Sequence, residues 1–232
     1  MPVFQLNDCI QFPPAELADE SGLLAVGGDL SPQRLIAAYS HGIFPWYSVG
    51  DPLLWWFTSP RLVIFLDEFK TPKRLARYAR NSSVTVSRDA AFSDVINECA
   101  HIRTETGEET WILPEMMDAY NILHRLGYAH SIECWQGQTL VGGLYGIAIG
   151  KVFFGESMFS RISCGSQYAL IGLVDFLTKE GYKLIDCQMT TDHLLRFGAR
   201  EISGNEFQSV IKKSITNISP QVHWKNDKTS NS

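Results

Sequence analysis

The sequence predicts an α+β protein with a mixed sheet in its larger part. Short apolar runs with strand-like alternation fill much of the second half, and helix-period apolar stripes stand between them. Glycine-containing turns separate most of these segments. From residue 129 onward the predicted order is β-β-β-α-β-α-β, with a final helix after it. We expect two domains, a small aromatic-rich one at residues 1–60 and a larger one at residues 61–232.

Composition indicates a folded protein from a reducing compartment. The 232 residues are 45% hydrophobic, which excludes wholesale disorder. A net charge of −5 does not indicate a nucleic-acid binder. A local basic surface could still bind nucleic acid despite the negative net charge. The five cysteines form no C-x-x-C pair, so we expect free thiols and no zinc site. The first residues lack the pattern of a targeting signal, and no apolar run reaches the ~18 residues of a membrane span, so we expect a cytoplasmic protein.

The first 60 residues are rich in turns and contain one clear helix. Ser31 is a suitable N-cap, Pro32 suits the first helical position, and Gly42 ends the helix. Aromatic residues follow closely: Phe44, Trp46, Tyr47, Trp55, Trp56 and Phe57. Most of them are expected to pack the small domain. Trp46 lies in a loop and could instead stack on a base.

A basic helix follows a predicted strand at residues 61–66. Lys70, Lys73, Arg74 and Arg77 recur at helical spacing, and we expect Leu75 and Tyr78 to anchor the opposite side. Residues 70–80 hold five cations, the fifth being Arg80, and no acid. Such a run is usually a solvated face. Because like charges repel within the helix, a phosphate-bearing partner is a fair hypothesis.

The remaining elements follow from period and turn signals. Trp111, in a polar loop at residues 105–114, is a second candidate for stacking on a base. Gly142 and Gly143 suggest a bulge in the second strand of a hairpin. Strands are predicted at residues 84–87, 129–135, 139–149, 152–159, 183–188 and 199–202. Helices are predicted at residues 90–100, 115–126, 166–180, 193–197 and 205–211, and the polar tail 226–232 is expected to fray.

Three polar residues in the predicted sheet are candidates for chemistry. Asp186 and Gln188 end an apolar strand and share one face, because side chains alternate. Glu156 lies in an apolar strand between Gly155 and Ser157, where a carboxylate is costly unless it is paired or needed. Structural alternatives stay open: a solvated strand end for Asp186, and an arginine or neighbouring strand that satisfies Glu156.

The two strands could enclose an apolar ligand whose amine end meets the carboxylates. Its wall would be formed by Phe153, Met158, Leu170 and Ile185. Strict alternation puts Phe153 and Met158 on opposite faces, so both can line one pocket only if the strand bulges near Gly155.

Several reaction classes lack support in the sequence. The six histidines form no recognisable triad, and the nucleophile elbow, Walker A and dinucleotide fingerprints do not occur. The order of elements resembles N-acetyltransferase-like proteins, yet residues 161–166 are one position out of register with the loop that binds the acetyl-CoA pyrophosphate. That mismatch counts against coenzyme A.

Long unbroken strings are similar to the leucyl/phenylalanyl-tRNA–protein transferases over about residues 12 to 205. They are Gly22-Leu23-Leu24-Ala25-Val26-Gly27-Gly28-Asp29-Leu30-Ser31-Pro32, Gly42-Ile43-Phe44-Pro45-Trp46-Tyr47-Ser48, Leu54-Trp55-Trp56, Thr110-Trp111-Ile112, Ala129-His130-Ser131-Ile132-Glu133, Leu140-Val141-Gly142-Gly143-Leu144-Tyr145-Gly146, Gly155-Glu156-Ser157-Met158-Phe159-Ser160 and Leu184-Ile185-Asp186-Cys187-Gln188. One departure is Cys164-Gly165-Ser166-Gln167, where the family usually has an Ala-Ser-Lys segment.

The resemblance implies a small N-terminal domain, an acetyltransferase-like domain and a specific reaction. Leucine or phenylalanine, sometimes methionine, moves from aminoacyl-tRNA to the α-amine of a protein that begins with Arg or Lys, which marks it for degradation. The ester is already activated, so no cofactor or metal is expected, only aminolysis by a neutral amine. We expect a monomer without membrane contact.

The resemblance also assigns roles to residues. Glu156, Asp186 and Gln188 would hold and activate the amine, with Gln188 oriented by Asp186, while Asp186 and Glu156 would attract a substrate Arg or Lys. Trp46 and Trp111 would hold the terminal adenosine. The aminoacyl site would comprise Leu144, Phe153, Gly155, Ser157, Met158, Leu170 and Ile185. The acceptor stem would meet Lys73, Arg74, Arg77 and Arg80. Two alternatives stay open: an acetyl-CoA-dependent N-acetyltransferase, and an inactive module that binds tRNA or the protein N-terminus.

Overall fold

The computed structural model describes residues 3–105, 107, 110–221, 224 and 226–229. Within them the strands are β1 (Phe4–Leu6), β2 (Leu23–Gly27), β3 (Phe44–Pro45), β4 (Leu54–Trp56), β5 (Arg61–Phe65), β6 (Thr85–Arg88), β7 (Ala129–Gln136), β8 (Thr139–Ile149), β9 (Val152–Ser160), β10 (Leu184–Gln188), β11 (Arg200–Ile202) and β12 (Asn226–Thr229). The helices are α1 (Pro32–Ser40), α2 (Lys73–Arg80), α3 (Phe92–Glu105), α4 (Pro114–Arg125), α5 (Gly165–Lys179), α6 (Asp192–Leu195) and α7 (Gly204–Ser214). No helix of this part of the chain is long and apolar enough to cross a membrane.

The turn-rich beginning of the chain forms a small sheet that the sequence analysis did not predict. Its strand order is β1-β2-β4-β3, with β1 parallel to β2 and the other pairs antiparallel. Trp55 is fully buried and donates its indole N–H to the Gly27 carbonyl at 2.9 Å. Strands of two to five residues between turns carry too few alternations to be recognised.

Helix α1 is confirmed, with the predicted caps. Ser31 Oγ accepts the Arg34 N–H at 3.4 Å, and Pro32 occupies the first turn. Gly42 has a φ of +74°, which ends the helix in the left-handed region. A Cβ at Gly42 would lie 2.5 Å from the Phe207 ring, so α7 also requires a glycine there.

The second sheet has the order β11-β5-β10-β9-β8-β7-β6-β12. Only the β9–β10 pair is parallel among its described strand pairs, because α5 connects these two strands. The strands and helices predicted from residue 61 onward are confirmed, with ends shifted by a few residues.

Two helical layers cover the large sheet. One face, here called the α1 face, packs against α1, α3, α4 and α7 and shares a core with the small sheet. The other, the α5 face, packs against α5. The predicted bulge lies at Val141, which the β7–β8 pairing skips, rather than at Gly142 and Gly143. Gly142 has another role, since a Cβ there would lie 2.6 Å from the backbone of Gly165 at the start of α5.

The expectation of a frayed tail is corrected for residues 226–229, while residues 230–232 lie outside the described part of the chain. β12 pairs with β6 at the edge of the large sheet. Just before it, Trp224 is 2% exposed and stacks on His130 at 4.2 Å between ring centroids. The polar composition of the tail predicted fraying, but composition does not show that the indole of Trp224, just before this segment, is buried in the core.

Candidate active site

The paired strands β9 and β10 separate in the middle of the large sheet. Their parallel register ends where Phe154 lies opposite Asp186. At that level each strand has a bulge: the β8–β9 pairing skips Glu156, and the β10–β5 pairing skips Cys187. Gln188, next to the second bulge, has a φ of +61°, an uncommon value for a residue other than glycine. Bulges re-aim side chains, and here they open a gap between the strands.

A cavity of about 370 Å³ occupies this gap. It is lined by every residue that the resemblance assigned to the aminoacyl site, Leu144, Phe153, Gly155, Ser157, Met158, Leu170 and Ile185. Phe153 and Met158 both pack in the core of the α5 face, although five positions separate them. The bulge at Glu156 shifts the alternation by one residue. A bulge was predicted here, near Gly155, and it lies one residue later, at Glu156.

Glu156 borders the cavity and receives three hydrogen bonds. Its Oε1 accepts from Tyr39 Oη at 2.7 Å and from Gln188 Nε2 at 2.9 Å, and its Oε2 accepts from Tyr120 Oη at 3.0 Å. Burial raises the pKa of the Glu156 carboxyl to about 7, and these hydrogen bonds limit the rise. The carboxyl can therefore bind or release a proton near neutral pH.

Tyr39 and Tyr120 are fully buried and touch each other through their hydroxyl groups. Burial, together with the Glu156 charge, raises the pKa of both phenols well above the usual value. They stay protonated at neutral pH and act as donors to Glu156. Both lie in helices, α1 and α4, whose apolar pattern gives no sign of where a hydroxyl group will lie in the fold.

Asp186 does not face the cavity but pairs with Arg61. Arg61 Nε lies 2.8 Å from Oδ1 and Nη2 lies 2.6 Å from Oδ2, with both side chains fully buried. Arg61 also donates to the Gly42 carbonyl at 2.9 Å. The expectation that Asp186 attracts a substrate Arg or Lys is wrong in this geometry, because Arg61 already neutralises the carboxylate.

Asp186 instead reaches Gln188 through the backbone. Its Oδ1 accepts the Gln188 N–H at 3.0 Å, which holds Gln188 in its left-handed conformation. Asp186 and Gln188 both meet partners on the α1 face, although the skipped Cys187 between them interrupts the alternation on which the prediction rested. Gln188 donates its side-chain N–H to Glu156, so its side-chain carbonyl remains to accept a hydrogen bond from a ligand.

The gap thus joins two different environments. The apolar wall lies on the α5 face, whereas Glu156 and Gln188 meet partners on the α1 face. An apolar group held on one side would present its attached polar end to a carboxylate and an amide on the other.

Trp46 and Trp111 lie on adjoining segments outside the gap. Trp46 is 37% exposed and packs against Trp56, with ring centroids 5.7 Å apart. Tyr47 Oη donates to Glu115 Oε1 at 3.3 Å, which ties the Trp46 loop to the start of α4 and so to Trp111 just before it. Trp111 packs partly buried against the core of the α1 face.

The cations of α2 are exposed, and two of them lie beside one aromatic ring. The guanidinium carbons of Arg74 and Arg77 lie 5.3 and 5.7 Å from the centroid of Tyr78. Tyr78, which the sequence analysis placed on the buried side with Leu75, is 40% exposed, because it lies among these cations rather than in the core. Among ion pairs between described residues, none involves Lys73, Arg74, Arg77 or Arg80.

The start of α5 does not form a cradle for a pyrophosphate. Ser160 Oγ accepts the Ser166 N–H at 2.8 Å, and the Ile162 carbonyl accepts the Gly165 N–H at 3.2 Å. Arg161 points elsewhere, to Glu98 and Glu105. The backbone donors that would hold a phosphate at a helix start are thus already occupied.

A cluster with metal-ligand residue types lies away from the gap. Asp89, His124 and His130 each bring one ligand atom within 4.8 Å of the others. His130 Nδ1 lies 2.8 Å from Asp89 Oδ2, and His124 Nδ1 lies 2.8 Å from the Ala129 carbonyl. These are hydrogen-bond distances, so the cluster is satisfied by its own contacts.

The chain matches two family models. The model described as leucyl/phenylalanyl-tRNA protein transferase covers residues 63–212, and the model of the N-terminal domain of the same proteins covers residues 28–59. Among solved structures, FemX is similar with a TM-score of 0.50 and 10% identity, over 84% of this chain and 75% of that one. The predicted acetyltransferase-like fold is thereby confirmed.

Two curated relatives match over nearly their whole length. A leucyl/phenylalanyl-tRNA–protein transferase of Desulfotalea psychrophila is 58% identical over 97% of this chain and 99% of its own. One of Syntrophobacter fumaroxidans is 51% identical over 98% of this chain and 97% of its own. The chain therefore belongs to the leucyl/phenylalanyl-tRNA–protein transferase family and is an aminoacyltransferase.

Proposed function

We propose that this protein transfers leucine or phenylalanine, with methionine as a further donor, from aminoacyl-tRNA to the α-amine of proteins that begin with Arg or Lys. The modification marks those proteins for degradation, and the enzyme acts as a cytoplasmic monomer. The observation that supports this most directly is the cavity between β9 and β10, which joins an apolar wall to Glu156, the carboxylate that accepts a hydrogen bond from Gln188.

The donor amino acid enters the apolar side of the cavity. A leucine or phenylalanine side chain contacts Phe153, Met158, Leu170 and Ile185, where removal from water favours binding. Its ester then lies in the gap beside Glu156. The terminal adenosine extends toward Trp46 and Trp111, and the acceptor stem reaches the cations of α2, which carry no acidic partner among the described residues.

The acceptor amine approaches from the side of Gln188. The Gln188 carbonyl accepts one amine N–H and aims the nitrogen lone pair at the ester carbon. The Asp186–Arg61 pair does not contact the amine itself. It acts through Gln188, whose backbone N–H donates a hydrogen bond to Asp186. Asp186 and Gln188 therefore position the amine, and proximity contributes much of the rate.

Glu156 moves the proton. The amine nitrogen bonds to the ester carbon, and the carbon–oxygen bond to the terminal ribose breaks. The proton that leaves the nitrogen passes to the Glu156 carboxylate and then to the departing ribose oxygen, so charge and atoms balance. A carboxyl whose pKa lies at about 7 can accept and return a proton at neutral pH. Its negative form also attracts a basic first residue of the acceptor.

One assay tests the proposal against the alternatives. Purified protein is given leucyl-tRNA and a peptide with N-terminal Arg, and leucine on the peptide is measured by mass spectrometry. A peptide with N-terminal Asp is the matched control and should remain unmodified. Acetyl transfer from acetyl-CoA without leucine transfer would overturn the proposal. Binding of tRNA without transfer to any peptide would indicate an inactive binding module instead.

A further inference from the structure

His193 is a polar group of the cavity with no assigned role. It lies in α6, directly after the turn that follows β10, and borders the cavity with Thr191 and Leu194. Its Nε2 is buried and has no hydrogen-bond partner among the described residues. Glu156 borders the same cavity.

An unpaired buried nitrogen requires an explanation, because such a group forfeits the hydrogen bonds it would make in water. Packing accounts for an aromatic ring at this position, because the imidazole lies tilted against Phe197 with ring centroids 5.6 Å apart. It does not account for a polar nitrogen in that ring. Burial and the nearby Arg196 lower the pKa of His193, so the ring is neutral at pH 7. A neutral imidazole can accept a hydrogen bond from a ligand.

The aminoacyl end of the proposed tRNA substrate brings groups that donate hydrogen bonds into the cavity next to His193. With its side chain against the apolar wall, an aminoacyl-adenosine has two such groups next to its ester, the α-amine and the ribose 2′-hydroxyl. Either can reach a nitrogen that borders the same cavity. Among the other wall residues, the Ser157 and Tyr145 hydroxyls are also buried without a partner among the described residues, whereas Phe153 and Leu170 offer no side-chain acceptor.

We propose that His193 Nε2 accepts a hydrogen bond from the aminoacyl end of the donor, at its α-amine or its ribose 2′-hydroxyl, and so orients the ester in the gap. The inference rests on the proposed function. His193 is then a residue that binds the aminoacyl-tRNA substrate. The fold alone does not require a histidine there, since a phenylalanine could fill the same space against Phe197.

The test measures binding without transfer. The probe is 3′-leucylamino-3′-deoxyadenosine, in which an amide replaces the reactive ester, and its dissociation constant is measured by calorimetry. His193→Phe, which keeps the ring and removes the nitrogen, should bind it about tenfold more weakly. His193→Gln, which keeps an acceptor at a similar reach, should recover most of the affinity. Thermal unfolding of the natural protein and of His193→Phe should agree, since the ring contact with Phe197 is kept.

Two altered probes identify the contacted group. One lacks the 2′-hydroxyl, and the other carries a hydrogen in place of the α-amine, since a hydroxyl there could still donate a hydrogen bond. The change that removes the contacted group should weaken binding to the natural protein but not further weaken binding to His193→Phe. If both changes act equally on the two proteins, or if His193→Phe binds the first probe normally, the inference is wrong while the proposed function stands. If the natural protein does not bind the first probe at all, both are wrong.

Discussion

At the scale of single residues, two carboxylates of the same sheet have opposite surroundings. Asp186 is fully buried and forms an ion pair with Arg61, whose side chain is also fully buried. Glu156 is enclosed by neutral donors, so burial dominates and its pKa rises to about 7. Asp186 is therefore paired with Arg61 and positions Gln188, whereas Glu156 can exchange a proton.

Glu156→Gln should slow transfer by about 10²-fold or more, because an amide cannot take the proton from the amine. In the natural enzyme, kcat/KM should rise with pH through about 7, as the Glu156 carboxyl becomes ionised and able to accept a proton. The measurement is kcat/KM from pH 5.5 to 9 with leucyl-tRNA and an Arg peptide.

Glu156→Gln should lose the inflection of kcat/KM near pH 7. The inflection that comes from the substrate amine, at about 8, should remain. Glu206→Gln, an exposed carboxylate on α7, is the matched control and should keep both. An unchanged inflection near 7 in Glu156→Gln would remove Glu156 as the base.

Arg61→Met should lower the free energy of unfolding by about 3–5 kcal/mol, because it leaves the buried Asp186 charge unpaired. Arg61→Met combined with Asp186→Leu should restore most of that stability, since two apolar side chains replace the pair. Transfer should stay low in the double variant, because the Gln188 N–H loses its acceptor. Urea unfolding and transfer rates check both parts.

Affinity for tRNA should remain near that of the natural protein in the double variant. Full transfer activity there would mean that the pair stabilises the fold without positioning Gln188.

At the scale of elements, α2 combines exposure with charge. Its Leu75 is buried, and its outer surface presents cations around Tyr78. Such a helix contributes little to the core, so its charges can be changed without a large loss of stability. The sequence analysis recognised the charge pattern but not the position of Tyr78, because a tyrosine suits both a core and a cation-rich surface.

Arg74→Gln with Arg77→Gln should weaken tRNA binding and flatten its salt dependence. If each arginine meets one phosphate, the slope of log K against log salt should fall by about 1.4–1.8 in magnitude. Filter binding between 50 and 200 mM salt measures the slope. Lys212→Gln with Lys213→Gln removes equal charge from the exposed end of α7 and should leave it unchanged. Equal slopes in both variants would exclude α2 from the interface.

At the scale of the whole molecule, the end of the chain supports the wall of the cavity. Trp224 packs against Phe176 of α5 and Phe153 of β9, with centroids 4.6 and 5.7 Å away, and its carbonyl accepts the Arg88 Nε–H at 3.0 Å. The segment therefore closes the core of the α5 face.

Trp224→Ala should lower the free energy of unfolding by about 3–5 kcal/mol, because it leaves a large void behind Phe153. Ile218→Ala is the control, since Ile218 is 52% exposed and should change stability by less than about 0.5 kcal/mol. Chemical denaturation followed by fluorescence and circular dichroism compares the two. Equal losses would show that Trp224 does not support the core.

The sequence by itself determined the elements of the larger part, the caps of α1 and, through long motif strings, the family. These depend on interactions between near neighbours and on residue identity, which a single chain displays directly. It also indicated that Asp186 and Gln188 share a face, because alternation is a local rule.

Only the tertiary structure decided which distant groups meet. Arg61 and Asp186 are 125 positions apart, and Tyr39 and Glu156 are 117 apart, so no local pattern could pair them. The bulge at Glu156 inserts one residue into the pairing, and a period of two reverses its sides at every insertion. The separation of roles between Asp186 and Glu156 follows from these long-range contacts, because Asp186 meets a buried arginine and Glu156 meets neutral hydroxyl and amide donors.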